Sequence, residues 1–191
     1  MDVNEPPVFT LEPGGSRVHE TSGSWMTEAA SAAELDARLA RMGLFRVYSE
    51  VRGELLQPRH GQHEKTVRID RILVPRASLL ALGWRLGAIG IEVKRSGIHL
   101  GPPLAQAMDY TRAAWSLRGV HIMLGAVFLW PMDKVHGPVA SLMVHNRVGS
   151  ASVDGQSIHL RLGEENVLRL QWGTDEPDVG TIDSGHKVGS R

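Results

Sequence analysis

The run from Val120 to Trp130 is the sequence feature that most limits what this chain can fold into. Its residues are almost uniformly apolar, with His121 and Gly125 as the main interruptions, and the run has the length of a strand. A strand without a polar face must be covered on both sides, as happens in sheets that lie between layers of helices. The run therefore predicts an α/β protein in which this segment is an inner strand.

The two ends of the chain differ from its middle in composition. Residues 1–25 combine Pro, Gly and Ser with few apolar residues, and residues 173–191 combine Gly with Asp and Ser. Both compositions predict flexible segments, an N-terminal arm and a C-terminal tail. We expect one folded domain over residues 26–172, with a core over 31–130 and a β appendix over 131–172.

Hydrophobic periodicity and capping signals predict the elements of this domain. A first helix is expected from an N-cap at Ser31, with Glu34 completing a capping box, to a stop at Gly43. A second helix is expected to open at Gly101 and to bury a stripe that ends at Trp115. Strands are expected at 45–52, 67–74, 88–94 and 120–130, followed in the appendix by strands at 139–144, 157–162 and 167–172.

Polar residues in three of these elements suggest a chemical site. Glu92 and Lys94 are two apart on a strand and so share a face, while Asp70 is a lone acid inside a β-branched run. If the two strands pair, the two carboxylates can form an oxygen site for Mg²⁺ or Mn²⁺. Gln106 and Tyr110 are spaced i and i+4, which places both on one face of the second helix.

The order of these motifs resembles the PD-(D/E)XK nuclease superfamily, and the motifs are most similar to its RecB-type branch. The resemblance covers residues 31–130, as helix, strand, strand with I-D-R-I, strand with E-V-K, helix with Q-x-x-x-Y, and strand. It implies a restriction-endonuclease-like αβββαβ core with a mixed sheet. It also implies a metal-dependent deoxyribonuclease that acts in DNA processing, in recombination and repair, or in phage or defence systems.

The resemblance also implies a role for each motif residue. Asp70 and Glu92 would be metal ligands together with the backbone carbonyl of Val93, and Lys94 would orient the attacking water and stabilise charge on the phosphate. Gln106 and Tyr110 would position the site and contact the DNA backbone.

The family has a further acidic residue on its first helix, and two acids of this chain compete for that position. Glu34 precedes the apolar stripe of the first helix, in a way similar to Holliday-junction resolvases, and it would be a further metal ligand. Glu50 lies on the polar face of the first strand and is the alternative. We favour Glu34.

Net charge conceals a basic segment. The chain has 21 basic and 21 acidic residues, but residues 37–118 carry 14 basic and 6 acidic side chains, a net charge of +8. A basic segment favours contact with the phosphates of DNA. The candidate phosphate-binding arginines are Arg46, Arg52, Arg68, Arg71, Arg95 and Arg112.

Several other functions are excluded or disfavoured. The absence of cysteine excludes thiolate metal sites and the iron–sulfur members of the RecB-type branch. His60 and His63 have metal-like spacing but lie in a polar loop, and Ser96 has no convincing triad. With no secretory signal and no apolar run of membrane length, we expect a cytoplasmic protein with no membrane association.

Four alternatives to a general nuclease stay open. A Holliday-junction or other structure-specific endonuclease would fit the same motifs and would make a homodimer the expected assembly. An end-processing exonuclease would fit them as well, whereas a restriction-like endonuclease is disfavoured by the short chain. A DNA-binding module without catalysis is the fourth alternative, although such family members tend to lose the acid or the lysine.

Overall fold

A computed structural model describes residues 27–57, 65–95, 99–155, 157–163 and 165–171. The predicted arm and tail, His60, His63 and Ser96 lie outside these residues. The helices are α1 (Glu28–Met42), α2 (Ala77–Ala81), α3 (Gly101–Tyr110) and α4 (Gly137–His145). The strands are β1 (Phe45–Leu55), β2 (Thr66–Pro75), β3 (Ile89–Val93), β4 (Ala113–Leu117), β5 (Val120–Ile122), β6 (Ala126–Trp130), β7 (Val148–Asp154), β8 (Ser157–Leu162) and β9 (Glu165–Gln171).

The described strands form one mixed sheet of nine strands, in the order β5-β4-β1-β2-β3-β6-β7-β8-β9. Strands β1, β2 and β3 form an antiparallel meander, whereas β6 is parallel to both β3 and β7. The predicted α/β class with a mixed sheet is therefore confirmed. Strands β7, β8 and β9 of the predicted appendix continue the same sheet.

A hydrophobic cluster covers each face of the sheet. One cluster contains Leu35 and Leu39 of α1 and Leu79 of α2, and the other contains Leu104 of α3 and Met143 of α4. Every residue of β3 and β6 is buried between these layers. This covering explains why the two strands carry an almost continuous apolar sequence.

The first helix begins earlier than predicted. The side chain of Thr27 accepts a hydrogen bond from the backbone N–H of Ala30, so Thr27 is the N-cap and Ser31 lies inside the helix, buried. The prediction of Ser31 as the cap was wrong, because the capping-box spacing occurs within the helix and Thr27 provides an earlier oxygen. The predicted stop at Gly43 is confirmed by its left-handed φ of 63°.

Three further predictions of secondary structure were wrong. The apolar run 120–130 is divided into β5 and β6, and α3 ends at Tyr110, so that Trp115 lies on β4. The segment 139–144 is part of α4, which begins after His136 with Pro138 in its first turn. Short apolar runs carry little information to separate strand from helix, and in α4 the buried pair Ala140 and Met143 has helical spacing.

The four helices are short or polar. Among the residues that the structure describes, no helix combines the length and the apolar character needed to cross a membrane.

The close approach of β3 to its neighbours makes Gly90 a sensitive position. A Cβ atom at Gly90 would lie 2.4 Å from Cδ1 of Ile69 and 2.8 Å from Cδ1 of Leu124. We expect Gly90→Ala to lower the free energy of unfolding by about 1–3 kcal/mol, as overpacked cores do. Chemical denaturation measures this change.

Gly101→Ala is the matched control, because the nearest atom to its Cβ would be 3.5 Å away, on the side chain of His99. Equal destabilisation by the two variants would contradict the packing of β3.

Candidate active site

The site is built at the carboxyl ends of the parallel strands β3 and β6. Their register pairs Ile89 with Ala126 and Val93 with Trp130, so both strands end at the same edge of the sheet. The N–H of Lys94 continues the ladder by donating to the Trp130 carbonyl at 2.6 Å. Ligand sites of α/β sheets commonly lie at this edge, where strands lead into loops.

Alternation along β3 separates its apolar and charged side chains. Ile91 and Val93 belong to the cluster that contains α1, so Glu92 and Lys94 point toward the face covered by α3. The Lys94 ammonium donates to Oε1 of Glu92 at 2.7 Å. Glu92 is only 3% exposed, and its second oxygen, Oε2, is buried with no hydrogen-bond partner among the described residues.

Asp70 reaches the same place from β2. Its Oδ2 accepts a hydrogen bond of 2.7 Å from the backbone N–H of Val93. Within a strand, the N–H and C=O of one residue point to the same neighbouring strand. The Val93 carbonyl is therefore directed toward the Asp70 side of β3, where the sequence motifs imply a backbone ligand.

A local distortion of β1 and β2 accompanies the position of Asp70. Ile69 and Ile72 pack in the cluster below α3, whereas Leu73 packs in the opposite cluster, so the simple alternation of β2 is broken between Ile69 and Ile72. On the facing strand, Glu50 has a left-handed φ of 53°. Such conformations cost energy for residues other than glycine and are frequent near functional sites.

The environment of Glu92 changes its protonation. Burial raises the pKa of Glu92 from 4.5 to about 7, and the nearby Asp70 carboxylate also raises it. The Lys94 ammonium opposes both effects but does not cancel them. Without a further positive charge at the site, Glu92 is thus partly protonated at neutral pH.

Gln106 and Tyr110 tie α3 to β2. The Gln106 side-chain amide donates to the Tyr110 hydroxyl, which in turn donates to the backbone carbonyl of Arg68. Burial raises the pKa of Tyr110, and the charge of Glu92 adds to this effect. The two side chains thus link α3 to β2 beside the carboxylates, and their contact with the DNA backbone stays a prediction.

The two acids that competed for the remaining position each form an ion pair with an arginine. Glu34 forms an ion pair of 2.6 Å with Arg38 on α1, and Glu50 forms one of 3.1 Å with Arg68. Within the described ranges, no group of three or more Asp, Glu, His or Cys side chains is arranged to hold a metal. Glu34 nevertheless lines a cavity of about 400 Å³ together with Lys94 and Arg95, whereas Glu50 does not.

The structure gives different surroundings to the six candidate arginines. Arg71 makes two hydrogen bonds to Asp36, of 2.8 and 2.7 Å, which tie β2 to α1. Arg112 donates to the side chain of Asn146. The side chains of Arg46, Arg52, Arg68 and Arg95 are exposed, and their contact with DNA stays a prediction.

Residues after β6 are part of this cavity, and the sequence motifs did not predict them. Pro131, Met132 and Asp133 line it, as does Ser152 of β7. The missing signal was the pairing of 126–130 with β3, because the carboxyl ends of parallel strands meet and so bring the segments that follow them together.

Comparisons with known proteins add no relative. No family model, curated protein or solved structure matches this chain.

The buried carboxyl of Glu92 makes the free energy of unfolding depend on pH. Below pH 4.5 it is protonated in both states. As pH rises from there to about 7, the unfolded chain releases the proton that the folded protein retains, so stability is lost across this range.

The Glu92→Gln variant should not lose stability as the pH rises, because glutamine does not ionise. In metal-free buffer with EDTA, we expect the unfolding free energy of the variant minus that of the parent protein to increase by roughly 3 kcal/mol from pH 4 to pH 8. Urea denaturation at a series of pH values measures it. Glu54→Gln, at an exposed position on β1, is the control, and a constant difference for Glu92→Gln would refute the raised pKa.

Proposed function

We propose that the protein is a metal-dependent deoxyribonuclease with a restriction-endonuclease-like core. The observation that carries the proposal is the convergence of Asp70, Glu92 and Lys94 at one edge of the sheet, with the Val93 carbonyl directed to the same side. Asp70 comes from the I-D-R-I motif and Glu92 and Lys94 from the E-V-K motif, and unrelated polar residues would have no reason to meet there.

The arrangement of elements supports the same proposal. The order of α1, the antiparallel meander β1-β2-β3, α3 and the parallel strand β6 corresponds to the αβββαβ core that the resemblance implies. Helix α2 and the hairpin β4–β5 are then insertions into that core.

The residues at the site fit Mg²⁺ or Mn²⁺. The buried Oε2 of Glu92 has no hydrogen-bond partner among the described residues, and a cation would offset the cost of keeping this carboxylate ionised. Asp70 adds a second carboxylate and Val93 a carbonyl oxygen. Mg²⁺ is commonly held by only one or two carboxylates, with water and substrate phosphate completing its shell, so a third acid is not required.

Each residue of the candidate active site then has a defined task in phosphodiester hydrolysis. A bound divalent ion supplies a nucleophilic water of lowered pKa and stabilises charge on the phosphate. The Lys94 ammonium, held by Oε1 of Glu92, can donate to the water or to a phosphate oxygen as negative charge develops. Asp70 fixes the end of β3, and Gln106 and Tyr110 keep α3 against it.

The charge distribution favours DNA as the substrate. The net charge of +8 over residues 37–118 includes Lys94 and Arg95, which line the cavity beside the site. The folded segment that carries the site is therefore the basic part of the chain, as binding to a polyanion requires.

Cleavage assays test the proposal. The purified protein is incubated with Mg²⁺ or Mn²⁺ and linear duplex, single-stranded, circular or four-way-junction DNA. We expect Asp70→Asn and Lys94→Ala each to slow cleavage by about 100-fold or more, the loss typical of a group that stabilises the transition state. Preference for the junction would select the structure-specific alternative.

Controls separate loss of chemistry from loss of fold. Lys65→Ala and Glu54→Gln change exposed residues, one just before β2 and one near the end of β1, and should cleave at the parent rate. Thermal unfolding should remain cooperative in all four variants. Full cleavage by both site variants would contradict the mechanism, and DNA binding without cleavage of any substrate would favour the non-catalytic module.

A further inference from the structure

A second cavity lies at the start of β1, away from the candidate active site. Its volume is about 610 Å³, and it is bounded by the last turn of α1, the first four residues of β1, Arg76 and Arg118. Among the described residues that line it are three arginines, Arg46, Arg76 and Arg118, and no Asp or Glu. We call it the three-arginine pocket.

An incomplete strand pairing leaves room for this pocket. Strand β4 pairs with β1 only from Gly53 to Leu55. The first residues of β1 therefore pair with β2 on one side, and none of the described strands pairs with them on the other. The turn between β4 and β5 instead brings Arg118 over this open edge, with its guanidinium carbon 5.9 Å from the centroid of the Tyr48 ring.

The backbone conformation of Arg118 suits other residues better, which indicates that arginine is present here for its side chain and not for the turn. Arg118 and Gly119 have φ values of 50° and 82°, a turn for which Asn-Gly is the favoured pair. An arginine is a poor choice for a left-handed position. Strained positions of this kind concentrate at ligand sites, where the side chain is needed in one place.

Arg76 is held in place by the backbone. Its Nε donates to the Phe45 carbonyl at 3.2 Å, which uses one of the five N–H donors of the guanidinium. Arg76 and Arg118 are thus positioned by a hydrogen bond and by an aromatic ring, and by no carboxylate among the residues that the structure describes. Planar guanidinium groups with donors to spare are the usual ligands of phosphate.

We propose that the three-arginine pocket binds a phosphate group, and that in the complex with DNA this is a phosphate of the strand backbone. Arg46 pairs with Val74, four residues along β2 from Asp70, which corresponds to roughly 13 Å along the strand. That separation spans only a few nucleotides of a DNA strand. It is short enough for one bound DNA molecule to contact both sites. The inference goes beyond the proposed function, because binding here needs neither metal nor cleavage.

Binding measurements in EDTA test the pocket without chemistry. Fluorescence anisotropy with labelled single-stranded and duplex DNA compares the parent chain with Arg46→Gln, Arg118→Asn and the double variant over a range of salt concentrations. Asn suits a left-handed turn, so Arg118→Asn removes the guanidinium while favouring the observed backbone. We expect the double variant to bind DNA at least tenfold more weakly, with the slope of log affinity against log salt reduced by about 1 for each phosphate that the variant no longer neutralises.

Arg169→Gln is the matched control, because Arg169 is an exposed arginine on β9, at the far edge of the sheet. Calorimetric titration with inorganic phosphate and with thymidine monophosphate forms the second arm. Loss of phosphate binding with DNA binding unchanged would support the pocket and assign it to a small phosphorylated ligand. Equal effects of the control and pocket variants, or no effect on either ligand, would overturn the proposal.

The outcome of these binding measurements does not depend on whether the protein is a nuclease. If the parent chain cleaves no DNA but loses phosphate or DNA binding in the double variant, the pocket stands and the proposed function fails. If Lys94→Ala abolishes cleavage while the pocket variants bind normally, the proposed function stands and the pocket fails.

Discussion

The parallel pairing of β3 with β6 is the constraint on which the rest of this structure depends. Parallel strands require a crossover connection, and here the crossover contains α3 and the hairpin β4–β5. Because both strands are buried on both faces, α1 and α2 must cover one side while α3 and α4 cover the other. The pairing also brings the two carboxyl ends to one edge, where Glu92 and Lys94 lie.

The candidate site is kept at a cost to stability. A buried carboxylate is unfavourable when one of its oxygens has no hydrogen-bond partner among the described residues, and the raised pKa of Glu92 expresses that cost as a proton retained in the folded state. A core built only for stability would place an apolar residue there. The left-handed φ of Glu50, opposite Asp70, adds a second unfavourable feature at the same place. Two such costs, on the two strands that flank β2, are what a functional site would explain.

Sequence patterns predicted elements best where alternation and stop signals agreed. Strand β2, strand β3 and the end of α1 at Gly43 occur within a residue of the expected positions. Strand β3 and α1 have a clear period, whereas β2 is marked by its β-branched residues and by Pro75 at its end. The predictions failed for Trp115 and for 139–144, where apolar residues fit two periods equally well. Trp115 is spaced as if on the stripe of α3, but its burial on β4 against Tyr110 satisfies the same hydrophobic demand. The distortion at Asp70 was not predicted, because the sequence does not show which sheet face each residue of β2 takes where its alternation breaks.

By itself, the sequence determined the α/β class, the presence of Glu92 and Lys94 on one face of a strand, and the basic character of residues 37–118. These properties depend on local periodicity and composition, which short-range chemistry decides. Only the tertiary structure decided that Asp70 bonds to the Val93 N–H, that Arg71 is paired with Asp36, and that three arginines distant in sequence share one pocket. The physical reason is that strand register, helix docking and the tertiary partner of each side chain follow from contacts across the sheet, and no local pattern encodes them.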